Sequence, residues 1–362
     1  MATRRELLHY TAALILSMKA VAAVGASAAS PALPAPGRPL RSRKIPNTDL
    51  NASALGWGSG SLVPWNKNPL SAEELTQASR LINTALEQGI TLFDHADIYA
   101  FGRSEAAFGQ VLKQSPGLRQ KIVLQSKCGQ LLDTGPGKGV RVDLSRRHIE
   151  EAVEGSLGRL GTDRLDVLLL HAPDALAAPE EIAQAFDHLH SSGKVRYFGV
   201  SNHNAAQIAL LKKFVRQPLV VNQIQIGLAN PGPLAQGIDF TLRVAKDTLG
   251  QRDTQRVDES ATVDYCRLND IQLQAWSPLR GLLNPKEDAS PQIKSVWAVL
   301  EQIAKRRNST PAVVALGWLL RHPAGILPII GGDKPEYIIE NIAADRFEMS
   351  REEWYDLLVA AT

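Results

Sequence analysis

From Ser53 onward, short apolar runs alternate with stretches in which apolar residues recur every three to four positions. The runs have the length of strands and the periodic stretches that of helices. Strands are expected at Ser53–Gly58, Ile90–Asp94, Lys121–Lys127, Leu165–His171, Val195–Ser201, Leu219–Gln223, Ile271–Ser277 and Gly325–Gly331. Helices are expected at Ser71–Gln88, Ser104–Lys113, Ser145–Leu160, Pro179–Ser191, Ala205–Phe214, Gln292–Arg307, Pro311–Arg321 and Glu336–Ala344. Ser71 and Glu74 make a capping box for the first of these. Ahead of them, Arg43–Leu50 reads as a hairpin turning at Asn47–Asp49. Eight strands alternating with helices imply an α/β protein with a parallel sheet. A closed (β/α)8 TIM barrel with an N-terminal hairpin and a C-terminal helix accommodates all of them. An open doubly wound sheet is the alternative, but no expected strand leads directly into G-x-G-x-x-G.

Two segments interrupt this alternation. Ala229–Ser260 is long, charged and contains Gly and Pro; it reads as an insertion over the barrel mouth with some helix around Phe240–Thr248. At the other end, Thr3-Arg4-Arg5-Glu6-Leu7-Leu8 opens an Ala-rich apolar stretch, broken by Lys19, that ends in Ala26-Ser27-Ala28. The pattern resembles a twin-arginine export signal over residues 1–28, followed by a Pro/Ala-rich spacer over 29–42 and the barrel over 43–362. Periplasmic localisation, through the twin-arginine export machinery, is the resulting expectation; a cytoplasmic protein with an N-terminal extension is the alternative. No Cys lies near the cleavage site, which argues against a lipid anchor.

The net charge of +3 over 362 residues gives no sign of nucleic-acid binding. Two cysteines, Cys128 and Cys266, do not make a disulfide framework, and Cys128 reads as a small core residue.

Candidate chemistry collects at the ends of successive strands. The segments F-D-H-A-D-I-Y (93–99), Q-S-K-C-G (125–129), L-L-L-H-A-P-D (168–174) and G-V-S-N-H (199–203) each leave an apolar run with a polar residue. Together they bring Asp94, Tyr99, Lys127 and His171 to one rim, a carboxylate, a phenol, an amine and an imidazole suited to proton transfer to a carbonyl. A free phenol, with a pKa near 10, is a poor acid at neutral pH. Lys127 is expected to lower that pKa, Asp94 to hold Lys127 in place, and His171 to orient the carbonyl oxygen. Trp57, Trp65 and Tyr99 are candidate walls of an apolar pocket, and His95 reads as a packing residue. No metal-ligand spacing is present, which disfavours a hydrolase on the same barrel.

These residues, with G-R-S-E-A-A-F-G (102–109), S-L-G-R-L-G-T-D-R-L-D (156–166), G-K-V-R-Y-F-G-V-S-N-H (193–203) and Q-A-W-S-P-L (274–279), resemble the aldo-keto reductase superfamily, and most of all a bacterial branch of poorly characterised oxidoreductases. The resemblance runs from about Arg43 to the C-terminal helix. It implies an enzyme that reduces a small aldehyde or ketone with NADP(H), Tyr99 acting as general acid with Asp94, Lys127 and His171 as its partners. It also implies that Ser201, Asn202 and Gln223 hold the nicotinamide carboxamide, that Trp276 stacks on the ring, and that Ser277, Leu279 and Gly281 meet the diphosphate. Glu340 and Asn341 match adenine contacts, and Gly332 and Lys334 fall by the adenosine ribose. There Gly332 replaces the usual hydroxyl, Asp333 is acidic and Tyr337 stands where Arg is common, so NAD(H) is the alternative cofactor. A monomer is implied as well. The rival to an enzyme is a cofactor-binding sensor with little turnover, suggested by the export signal.

Overall fold

The computed structural model describes residues 40–132, 140–235 and 261–362. The export signal, most of the spacer, and the helix expected at Phe240–Thr248 lie outside the described residues. Within them, β1 (Ser42–Lys44) and β2 (Asn51–Ser53) form the N-terminal hairpin. The barrel begins at β3 (Gly56–Gly58) and continues with β4 (Leu92–Asp94) and β5 (Val123–Cys128). A second hairpin, β6 (Gln130–Leu132) and β7 (Val140–Val142), follows β5 and was not expected from the sequence. The barrel resumes with β8 (Leu165–Leu170), β9 (Val195–Ser201), β10 (Leu219–Ile224), β11 (Gln272–Trp276) and β12 (Leu327–Ile330). All eight barrel strands pair in parallel, and β12 returns to β3 to close the sheet. The expected first strand, Ser53–Gly58, is thus divided: Ser53 ends the hairpin and only Gly56–Gly58 enters the barrel.

The barrel strands β5, β8 and β10 are buried along their whole length, which explains their apolar runs. Outward residues such as Phe93, Leu124, Leu168 and Phe198 pack with helix residues including Phe108, Ile149, Ile182 and Phe186. The inward set is layered. Leu92, Val123, Val167, Leu169, Val221, Leu327 and Ile329 fill the interior together with Ile45, Leu50 and Ala52 of the hairpin. The hairpin therefore seals the barrel floor, and Arg196 fastens it there by donating to both carboxylate oxygens of Asp49 at 2.7 Å. The interior is full at β3, where a Cβ on Gly56 would lie 2.8 Å from Ile329 and Leu92. With the floor apolar and filled, polar inward residues are confined to the upper strand ends.

The helical expectations hold with small shifts at the ends. Ser71 caps Ala72–Glu87 with the full capping box, and Ser145 caps Arg146–Leu160. Glu336–Ala344 divides into the helix Pro335–Asn341 and a 3-10 turn, Ile342–Arg346. A short helix, Thr262–Leu268, was not expected, and Arg351–Ala361 is the C-terminal helix.

Candidate active site

Strand period 2 places Asp94, Lys127 and His171 on the inner rim, and the chain leaving β4 carries Tyr99 over them. Lys127 Nζ donates to Asp94 Oδ2 at 2.6 Å, to the His95 carbonyl at 2.9 Å and to the Tyr99 hydroxyl at 3.0 Å. The ammonium thus has three acceptors for its three protons. His171 stands edge-on to the Tyr99 ring, centroids 5.9 Å apart. All four expected catalytic residues meet.

Below them lies a layer that sequence reasoning missed. Gln125 and Gln223 donate to Asp94 Oδ1 at 2.6 and 3.0 Å, and both also donate to Gln274 Oε1. Gln125 is two residues before Lys127 and Gln274 two before Trp276, so alternation along the strand was the available signal. The amide nitrogen of Gln223 is committed to this layer, which leaves its carbonyl oxygen for the expected carboxamide contact.

The electrostatics follow from enclosure. Burial pushes the Tyr99 phenol above its usual range; Lys127 opposes that push and Asp94 adds to it. The expected fall in the phenol pKa is therefore corrected to a rise, because desolvation outweighs the neighbouring ammonium. Desolvation also acts against the charge on Lys127, but Asp94 and then Tyr99 overcome it and hold the ammonium above its ordinary value. Desolvation, with help from Lys127, holds His171 well below the usual imidazole range, so the ring is neutral at physiological pH.

Other expectations divide. Trp57 does not wall a pocket: it is fully buried, edge-on to Phe93 at 6.1 Å. Trp65 does lie beside Tyr99, with ring centroids 6.3 Å apart, and packs edge-on against Phe101 at 6.0 Å. His95 packs edge-on against Phe108 and is held by Ser59 Oγ at 2.8 Å, as a packing residue should be; its carbonyl on Lys127 was not foreseen. Cys128 is a buried core thiol pushed well up by burial.

Of the expected cofactor residues, Ser201, Asn202, Gln223 and Trp276 are linked at the same mouth. Trp276 donates its indole N–H to Asn202 Oδ1 at 2.9 Å, and Asn202 Nδ2 donates to the His171 carbonyl at 3.0 Å and to Ser201 Oγ at 3.1 Å. Ser201 in turn donates to the Gln223 carbonyl. Asn202, Ser277 and Gly281 all adopt left-handed backbone, which turns the chain sharply at the rim. Leu279 and Gly281 follow on the loop after β11, and Glu340 and Asn341 close the last turn of the helix after β12. Asp333 Oδ1 is buried beside that helix with no partner among the described residues. Lys334 is exposed and its ammonium lies 5.7 Å from the Tyr337 ring centroid.

A closed parallel barrel that gathers a carboxylate, a phenol, an amine and an imidazole at its C-terminal mouth is an arrangement suited to proton transfer. The chain belongs to the aldo/keto reductase family, whose model matches residues 54–358. It is 35% identical over 318 residues to the uncharacterized oxidoreductase YcsN of Bacillus subtilis, covering 86% of this chain and 95% of that one. Over 330 residues it is 34% identical to a 6-dehydroglucose reductase of Novosphingobium aromaticivorans, covering 88% and 95% of the two chains. In fold it resembles the crystal structure of the thermostable aldo-keto reductase Tm1743, with a TM-score of 0.70 at 24% identity over 88% of this chain and 98% of that one.

Buried histidines contribute to the acid sensitivity of the fold, His95 and His203 among them. Burial lowers His95 to about 3 and His203 to about 4. Both are depressed, so their stabilising effect is complete above the unfolded value of about 6.5 and is lost as pH falls through the folded values. Asp97, whose carboxyl burial raises to about 8, should lower stability as pH rises toward 8, while the histidines should add no slope above about 6.5. Below it, each histidine should remove up to about 1.4 kcal/mol per pH unit. A melting series from pH 8 to pH 4 checks this, and His95→Gln should flatten the acid limb.

Proposed function

We propose that the protein reduces a small aldehyde or ketone with Tyr99 as the proton donor. The observation that carries this reading is the continuous contact Asp94–Lys127–Tyr99, with His171 against the phenol. A phenol pushed above its usual range is protonated at neutral pH, the state a proton donor requires. As the carbonyl oxygen gains charge, Tyr99 releases its proton to it. The Lys127 ammonium, 3.0 Å from the phenol oxygen, stabilises the phenolate that remains. Asp94 keeps Lys127 charged, and the neutral His171 ring orients the carbonyl oxygen. Trp276, Ser201, Asn202 and Gln223 would hold a nicotinamide, which when bound would supply the hydride for the carbonyl carbon. The open mouth beside Trp276 and the unpartnered Asp333 oxygen, an acceptor suited to ribose hydroxyls, fit such a dinucleotide. A complete proton-donating set supports turnover over a sensor role. Since one relative is a 6-dehydroglucose reductase, sugar aldehydes head the substrate panel.

The choice of dinucleotide turns on Asp333. A carboxylate here repels a 2′-phosphate and accepts from a 2′-hydroxyl, which supports NADH over the NADPH usual in the family. At about 4 Å the repulsion amounts to roughly 4 kcal/mol for an effective dielectric of 20. Gly332 supplies no hydroxyl to offset it, and with φ +148° and a virtual Cβ 3.2 Å from Tyr337 it accepts no side chain without strain. The N-terminal Arg4-Arg5 pattern and Ala26-Ser27-Ala28 support export to the periplasm.

Three measurements test these readings. Tyr99→Phe should lower carbonyl reduction by about 10²- to 10⁴-fold while Trp276 fluorescence still reports cofactor binding; sustained turnover would remove Tyr99 from the proton-donor role. Asp333→Asn should raise affinity for NADPH relative to NADH by about tenfold or more; an unchanged ratio would mean that Asp333 faces away from the ribose. Sequencing the mature N-terminus should begin near Ala29, and an intact Met1 would refute export.

A further inference from the structure

On the far side of the Tyr99 loop, a second opening of about 350 Å³ lies between that loop, the hairpin β6–β7 and the helix Arg146–Leu160. Nothing in carbonyl reduction uses it. Its lining includes Asp97 and Phe101 from the loop, Gln130 and Leu131 from the hairpin, and His148 and Arg159 from the helix. Two of these groups carry buried atoms without a partner among the described residues, Asp97 Oδ1 and His148 Nε2. Buried polar atoms are nearly always hydrogen-bonded, so two in one cleft mark a place where something outside the chain completes the bonding.

The charges around the cleft are already balanced. Arg159 donates to Glu105 Oε2 at 2.8 Å, and Glu105 also takes a hydrogen bond from Ser126. Glu151, at the rim, pairs with Arg147. Burial, then the neighbouring Glu105, pushes the Asp97 carboxyl up to about 8, so at neutral pH it is a neutral acid with both a donor and an acceptor. Among the described lining residues the charged groups are thus already engaged within the chain, which disfavours a charged ligand. What remains is the Asp97 carboxyl, the His148 ring and the Gln130 amide, beside the apolar surfaces of Phe101 and Leu131. That combination suits a molecule with hydroxyls on a carbon skeleton.

We infer that this cleft is a binding site, separate from the carbonyl site, for a neutral polyhydroxylated molecule such as a polyol or a sugar. Its occupant would reach the catalytic centre through the loop it touches. Asp97 N–H donates to the Lys127 carbonyl at 3.0 Å, and Tyr99 N–H donates to the Ala96 carbonyl at 3.1 Å. Ala100 and Phe101 hold left-handed backbone, with φ 48° and 59°, so the segment next to Tyr99 is strained. A ligand against Asp97 and Phe101 would stabilise that conformation.

The test uses the full chain without cofactor or carbonyl substrate, so its outcome is independent of the proposed reduction. Sorbitol, which has no carbonyl, is titrated by saturation-transfer NMR, with gluconate as the charged comparison. Sorbitol should bind saturably with a Kd of roughly 0.1–10 mM, and gluconate more weakly. Asp97→Leu should weaken sorbitol about tenfold or more. Ala152→Trp, on the facing helix, fills the cleft without touching Tyr99, Lys127 or Asp94 and should do the same. Tyr99→Phe should leave binding unchanged, and thermal melting confirms that each variant is folded. Absence of saturable binding, tighter binding of gluconate, or full binding in a folded Ala152→Trp variant would each overturn the inference.

Discussion

The Lys127–Asp94 pair is the interaction on which the site depends. Both side chains are almost wholly removed from water, at 1% and 3% exposure. Burying two charges costs several kcal/mol per ion, and their attraction offsets this only when the remaining valences are also satisfied. Here they are. Lys127 has three acceptors, and Asp94 receives Gln125 and Gln223 on one oxygen and Lys127 on the other. The Gln125–Gln223–Gln274 layer exists to make a buried carboxylate tolerable, and it insulates the apolar floor from the charged mouth. Removing either partner would strand the other charge, so the pair is a positional device rather than a source of stability.

The barrel's layering makes this arrangement possible. The N-terminal hairpin fills the lower end with Ile45, Leu50 and Ala52, packed against the inward residues of the strands. Desolvation then sets the direction at two groups of the rim, raising Tyr99 and lowering His171. The lysine's effect on the phenol is stabilisation of the phenolate once the proton has left, not a low resting pKa. A donor that keeps its proton until the carbonyl oxygen becomes basic is matched to reduction. The three successive left-handed residues Ala100, Phe101 and Gly102, the first two strained by roughly 1–3 kcal/mol each, hold the tyrosine loop over this centre.

The strand and helix order, the barrel, the capping box at Ser71 and the four rim residues were legible in the sequence. Period 2 and period 3.6 report which face of an element is buried, and strand ends are where a parallel barrel exposes its polar side chains. What failed depended on contacts distant in sequence. Trp57 looked like a pocket wall because it ends a strand, yet the ring faces outward onto Phe93. The hairpin β6–β7 was missed because neither strand alternates enough to stand out locally. Nothing local in the sequence marks Asp97, Glu105 and Arg159; only folding brings a carboxyl against another carboxylate with little water.

The sequence alone therefore determined the class of structure and the kinds of group at its rim, because both follow from local periodicity and residue chemistry. Tertiary structure decided the protonation states, the glutamine layer under Asp94, the removal of Trp57 from the mouth and the cleft behind Tyr99. Those depend on how completely neighbours exclude water, a property of the closed barrel that no short stretch of chain contains.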